Sequence, residues 1–426
     1  MGPVFWGPTS EFLGRWIPFF GAYTCFCIFQ IPVAVAQNLE TILVCRFLGG
    51  LFGAGPLAVT AGVMADMWGP IDRGAAIATF GLATFVGPVI GEPPSKNVDV
   101  YELTDILAPT VGGFLTESSL GWRWTVWITL IMGSFFETIG LLIIPETYAP
   151  LLLSRRASKL RYKTNNWAIH SQFDEKRLDF NAVLNTYLLL PLKMLVQETI
   201  LFLVALYLAL VYSVIYLSFE AFPISFQEER GWGGGVGSLP FLSLLVGFII
   251  GGIIIVIQNY GGYAKIVHEK GQAPPEARLI PMMIGAVAFP IGLFVCIHLD
   301  HPCLSIFLTP IWQWVGWTSS RNITWVPEVL GGVPIGAGSI LIFMQGLNYI
   351  VDAYRVRANS AVAASTFLRA SMAAGFPMFA TAMFHKLTVP WAMSLLGFLA
   401  VALVPVPFAF YYYGKAIRRS SRYCAD

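Results

Sequence analysis

Thr41-Ile-Leu-Val-Cys-Arg-Phe-Leu-Gly-Gly-Leu-Phe-Gly-Ala-Gly-Pro-Leu-Ala-Val-Thr-Ala-Gly-Val-Met64 is a run of 24 residues with one charge, Arg46. A hydrocarbon core of roughly 30 Å is crossed by about 20 apolar helical residues. This run is long enough, and too apolar for a water-facing helix. Working outward, 18–36, 121–144, 199–222, 237–257, 327–350, 360–384 and 389–413 read the same way. Two further runs stop short: 74–91 at Glu92-Pro-Pro-Ser-Lys96, and 279–294 at Val295-Cys-Ile-His-Leu-Asp-His301. Residues 1–9 read as the last turns of another helix. The expectation is an all-α membrane protein with about ten complete transmembrane helices.

Composition excludes the alternatives. Of 426 residues, 56% are hydrophobic and 12% charged, against about 25% charged in soluble domains. That inventory cannot build the surface of a soluble enzyme, and the chain is too hydrophobic for disorder. A net charge of +2 with no basic face gives no case for nucleic acid. The six cysteines form no metal or disulfide spacing. The histidines (His170, His268, His298, His301 and His385) are scattered over separate loops, so a membrane-embedded enzyme has no catalytic cluster. No catalytic residue, metal or cofactor is expected.

Basic residues mark one side. Of the 26, 19 fall in alternate connections: Arg15, Arg73, 151–195, 258–278, Arg355, Arg357 and the tail. The opposite connections hold five, and two, Arg46 and Arg369, lie within spans. By the positive-inside rule the rich set is cytoplasmic. Residues 151–195 are the long polar stretch between two hydrophobic parts. The expected organisation is a bundle over 1–150, a linker over 151–195, a second bundle over 196–414 and a tail over 415–426.

Ionisable groups inside spans are costly and default to function. Arg46 stands beside Gly49, Gly50, Gly53 and Gly55-Pro56, where glycines permit close helix approach; a buried guanidinium there needs an acceptor or anion, or else snorkels to the helix end. Glu220, in Phe219-Glu-Ala-Phe-Pro223, is a candidate proton carrier, or an interfacial carboxyl. Glu137 and Arg369 are further candidates without a motif. Gln345, Asn348 and Asn359, with Arg369, are candidate cavity residues, although such amides also serve simply to join helices.

Four local patterns make the chain resemble the major facilitator superfamily, in its fungal twelve-span drug:proton antiporter branch. Gly7-Pro-Thr-Ser-Glu-Phe-Leu-Gly-Arg15 is similar to that family's loop between spans two and three, and Leu43-Val-Cys-Arg46 through Gly55-Pro56 to its fourth-span motif. Gly81 to Gly87-Pro88 and Gly91, continued by Pro109-Thr-Val-Gly112-Gly113, resembles the antiporter motif of span five. Pro145-Glu-Thr-Tyr-Ala-Pro150 resembles the close of span six. The resemblance implies two six-helix bundles around a central cavity, alternating access, and export of a small amphipathic or cationic compound (a drug, toxin or polyamine) in exchange for protons. It implies proton coupling at Arg46 and a cytoplasmic gate built from Glu11, Arg15, Asp66 and Arg73. A monomer in the lipid bilayer, in the plasma membrane rather than the vacuolar membrane, is the matching expectation. A facilitator or importer of the same fold, and a non-transporting product, are the alternatives.

The sequence departs from the family pattern in three places. The first span and most of the second have no counterpart before Met1. Residues 92–108 interrupt the fifth-span motif, and 295–313 interrupt the ninth span. Both are polar or mixed where a membrane demands apolar helix, and the expectation is that they are unspliced intron sequence, with genuine loops as the alternative. No role is given to Lys96, His298 or His301.

Overall fold

The computed structural model describes residues 2–69, 72, 74–77, 79–81, 121–174, 189–271, 274–295, 325–354, 358–419, 421, 423 and 424. All regular structure among them is helical. The first part contains α1 (Gly2–Phe12), α2 (Trp16–Val35), α3 (Leu39–Met67) and α4 (Arg123–Ile143). A polar helix, α5 (Ala149–Thr164), follows. The second part holds α6 (Leu190–Gln197), α7 (Thr199–Pro223), α8 (Phe241–Gln258), α9 (Ala264–Lys270) and α10 (Leu279–Val295). It continues with α11 (Val326–Tyr354), α12 (Ala358–Gly375), α13 (Pro377–Leu403) and α14 (Pro405–Arg419). Eight helical stretches among the described residues are long and apolar enough to cross a membrane.

The boundaries expected near the C-terminus differ in detail. α12 ends at Gly375, and α13 runs through Thr388, whose φ of 67° is not helical. Pro390 follows two residues later and withdraws a backbone donor. The chain therefore breaks inside α13, in the gap that hydropathy leaves between 384 and 389.

One extended core joins α6 to α14, from Met194 to Phe410. Its centre is α11, held between α8 and α10 by glycines. A Cβ on Gly336 would collide with the Leu244 carbonyl, and one on Gly247 with the Val333 carbonyl. On the other side, a Cβ at Gly338 would lie 2.7 Å from the Phe289 nitrogen, and one at Gly292 would lie 2.7 Å from the Gly331 carbonyl oxygen. Small residues at facing positions bring helix backbones into direct contact, which is how helices associate where burial of apolar surface drives little. In the first part α2 packs between α3 and α4, and the Arg123 guanidinium caps the end of α2 at the Ala36 carbonyl, 3.0 Å away.

Candidate functional site

The helix ends on the basic side carry a layer of buried charge, here called the inner end. Gly14 links α1 to α2 with φ +85°, a backbone state that favours glycine. A Cβ there would also strike the Glu146 carboxylate. The turn aims Arg15 inward: its Nε reaches Asp66 Oδ2 at 2.9 Å and its Nη1 donates to Ser10 Oγ at 2.7 Å. Glu146 Oε1 accepts the Arg15 backbone N–H at 2.9 Å, and the Tyr148 ring lies 4.9 Å from the guanidinium carbon. Gly62 makes room, since a Cβ there would fall 2.7 Å from that carbon.

A matching group sits at the start of α10. Arg278 Nε meets Asp352 Oδ2 at 3.0 Å, and Nη1 donates to Asn259 Oδ1 at 2.6 Å. The Tyr263 ring covers this guanidinium at 3.5 Å. Beside it Arg418 grips Glu276 through two nitrogens, at 2.9 and 3.0 Å.

The first part presses on this second group. A Cβ at Gly74 would strike Asn259 Oδ1 and fall 2.6 Å from Arg278 Nη1. Tyr260 donates to Asp72 Oδ1 at 3.4 Å, α1 packs along α12, and Gly81 lies against Met344. The two parts of the chain therefore close on one another at the inner end.

Farther into the bundle, α7 shows a half-open stripe. Val211, Ser213, Val214, Ile215 and Leu217 are buried, while Tyr212, Tyr216, Phe219 and Glu220 are half-buried. Spacings of four, three and one put those four on one helical face. The Tyr212 and Tyr216 hydroxyls share a hydrogen bond of 2.7 Å. Arg369 on α12 faces this stripe, with its guanidinium carbon 5.1 Å from the Tyr212 ring and 4.3 Å from the Phe343 ring of α11. Its Nη2 donates to Thr366 Oγ1 over 3.4 Å, and its Nη1 is buried without a partner. Among the described residues no carboxylate pairs with Arg369, and none of their donors reaches the Glu220 carboxyl.

The remaining candidates are distributed as follows. Arg46 is half-buried on α3, about 10 Å from that helix's start. Gln345 and Asn348, on α11, are buried, and neither Gln345 amide atom has a partner among the described residues. Asn359 lies on α12 and Glu11 on α1, with side chains outside the described set. Arg73, Gly87, Pro88, Gly91, Pro109, Gly112 and Gly113 fall outside the described residues, as do 92–108 and 296–313. Glu137 accepts the Thr24 hydroxyl and so ties α4 to α2. Sequence reading missed Arg278, Asp352, Glu276 and the pair of Arg230 with Glu328 at 2.8 Å. It gave Glu146 no role, although Pro145-Glu-Thr-Tyr was already singled out.

The family model described as Major Facilitator Superfamily matches residues 1–95. The citrinin biosynthesis cluster transporter of Monascus ruber is 47% identical, over 99% of this chain and 78% of that protein. The ascochitine biosynthesis cluster transporter of Didymella fabae is 46% identical, over 99% of this chain and 75% of that protein. The cercosporin transporter of Cercospora nicotianae is 40% identical over the same shares. Each of the three is named as a transporter of one superfamily. With likeness of that degree along nearly its whole length, on a helical membrane fold, this chain belongs to the major facilitator superfamily: it is a multi-pass membrane transporter of small molecules and not an enzyme.

Proposed function

We propose that this transporter exports a small organic compound in exchange for protons, by alternating access between two helical bundles. The observation that carries the reading is a half-buried polar stripe on α7 and α12 beyond an inner end where the two parts of the chain meet. Tyr212, Tyr216, Glu220 and Arg369 are half-buried above an inner end where Gly74 meets Asn259 and Arg278. Arg15 with Asp66, and Arg278 with Asp352, hold that end from either side; Glu11 and Arg73 belong to the same gate. Taking such charges out of water offsets much of their mutual attraction, so a buried pair adds little net stability, although breaking it leaves an uncompensated charge. Arg46 and Glu220 are the proton-coupling groups, and the glycines and prolines of the fifth-span motif serve as a sealing contact between the two halves.

The names of the relatives attach two of them to biosynthesis clusters, which favours a compound made by the same cell. Of the expected cargo classes, an amphipathic toxin suits the stripe better than a polyamine, which Arg369 would repel. The plasma membrane is the matching location and a monomer the working unit. The test is expression in a sensitised yeast with a panel of toxic compounds, with and without an uncoupler. Lower accumulation that the uncoupler abolishes is expected; accumulation unchanged for every compound removes the reading.

A further inference from the structure

We infer that Arg369 is an anion-binding subsite, and that the cargo carries an acidic group, such as a carboxylate, on or beside a flat conjugated ring. This rests on the transport reading above and adds the chemistry of what is carried. Three helices bring the parts together at one depth. Arg369 lies about 17 Å along α12 from its first residue, Tyr212 about 20 Å along α7, and Phe343 about 17 Å from the inner end of α11. All three are thus near the middle of a hydrocarbon core of roughly 30 Å, too deep for a lipid headgroup to reach.

A guanidinium in that position is costly unless paired. Among the described residues, two aromatic faces, at 4.3 and 5.1 Å, and one long hydrogen bond are its company. Ring faces stabilise a cation but accept none of its five N–H donors in the plane of the fork. Nη1 has no acceptor among the described residues. A carboxylate fits that fork with two parallel hydrogen bonds; Arg369 as a whole is half-buried, with Nη1 covered, so the acid would reach it as the stripe around it opens. Tyr212 and Phe343, with ring centroids 5.9 Å apart and planes 29° apart, flank the fork. A planar ring attached to the carboxylate would then lie along aromatic walls. A cationic cargo meets repulsion at the same point, and a neutral one offers Nη1 at most an uncharged, weaker acceptor.

The test uses the purified full chain in detergent without a proton gradient, so that binding is read apart from transport. The probes share one ring: 2-naphthoate, 2-naphthalenemethanol and a 2-naphthyl trimethylammonium salt, with salicylate and benzoate extending the acid series. The expected result is saturable binding of one or more acids, tighter than the alcohol or the ammonium salt. Arg369→Met should weaken acid binding about 10- to 100-fold, the range for a lost hydrogen bond to a charged group, and leave the alcohol nearly unchanged. Arg369→Lys should keep the preference for acids at reduced affinity, since the charge remains and the fork is lost. Arg369→Glu should invert the preference toward the ammonium salt, which a merely misfolded variant cannot do. No saturable binding of any acid, or unaltered acid binding by Arg369→Met, overturns the proposal. Failure of uncoupler-sensitive export in cells, with acid binding intact, would fall on the antiport reading instead.

Discussion

Arg15 and Arg278 make the same bond in two places. Each stands one residue before a membrane helix, α2 or α10, and turns Nε to the Oδ2 of an aspartate near the inner end of the following long helix, at 2.9 and 3.0 Å. Each sends Nη1 to a polar side chain of an earlier helical segment, Ser10 or Asn259, and each lies against a tyrosine ring. Parallel internal repeats are a known construction principle of transporters, and here they are expressed as duplicated charge chemistry.

The two clamps should differ in strength. The Arg278 and Asp352 side chains are 1% and 12% exposed, against 7% and 24% for Arg15 and Asp66. Breaking a buried pair leaves an uncompensated charge and costs more with depth. Arg278→Ala should therefore lower the melting temperature of the purified protein more than Arg15→Ala does. The reverse order would show that burial does not rank these pairs.

Arg46→Ala is expected to abolish proton-coupled export while membrane insertion and expression are kept. Uncoupler-sensitive efflux, normalised to surface-exposed protein, is the measurement. Retained coupling would remove Arg46 from the mechanism.

Gly336→Ala should push α8 away from α11, because its methyl would enter the space of the Leu244 carbonyl. Overpacking of this kind costs about 1–3 kcal/mol. A lower melting temperature is expected, whereas Gly375→Ala, with open space around it, should have little effect from packing.

The tail offers a pH readout. Ser421 donates to the buried Glu198 carboxylate and accepts the Cys424 backbone N–H at 3.0 Å, holding the tail on α7's base. Burial pushes the Cys424 thiol above its ordinary range. A raised value means less thiolate at neutral pH, and the thiolate is the reactive form. Alkylation of Cys424 by N-ethylmaleimide, followed by mass spectrometry, should therefore need more alkaline solution than an exposed thiol does. Ser421→Asp sets a second carboxylate against Glu198, and should release the tail and speed the labelling.

The spans were legible because the bilayer imposes length and apolarity directly: Thr41–Met64 needs no partner to be read. Arg15 was legible through the Gly7–Arg15 loop pattern, and Asp66 through the family resemblance of the 66–74 loop. Arg278 was not, for its turn is Pro275-Glu-Ala-Arg278, which reproduces the function of Gly14-Arg15 without its sequence. Arg369 was visible as a charge inside a span, but its ring partners Tyr212 and Phe343 sit on helices distant in the chain. Gln345 and Asn348 read in sequence as cavity candidates or helix-joining amides; the structure buries both on α11, which the local sequence does not signal.

The glycine seam through α8, α11 and α10 has a mechanical consequence. With backbone against backbone there is no compliant layer of side chains to slide, so these three helices behave as a plank. Motion within this part must then be taken up along its edge, by α7 and α12. Phe343 belongs to the plank, and Tyr212 and Arg369 to the edge. The 4.3 Å contact between Arg369 and Phe343 thus spans the boundary between plank and edge, and on the export mechanism proposed above it is where movement of α12 against α11 would be felt first.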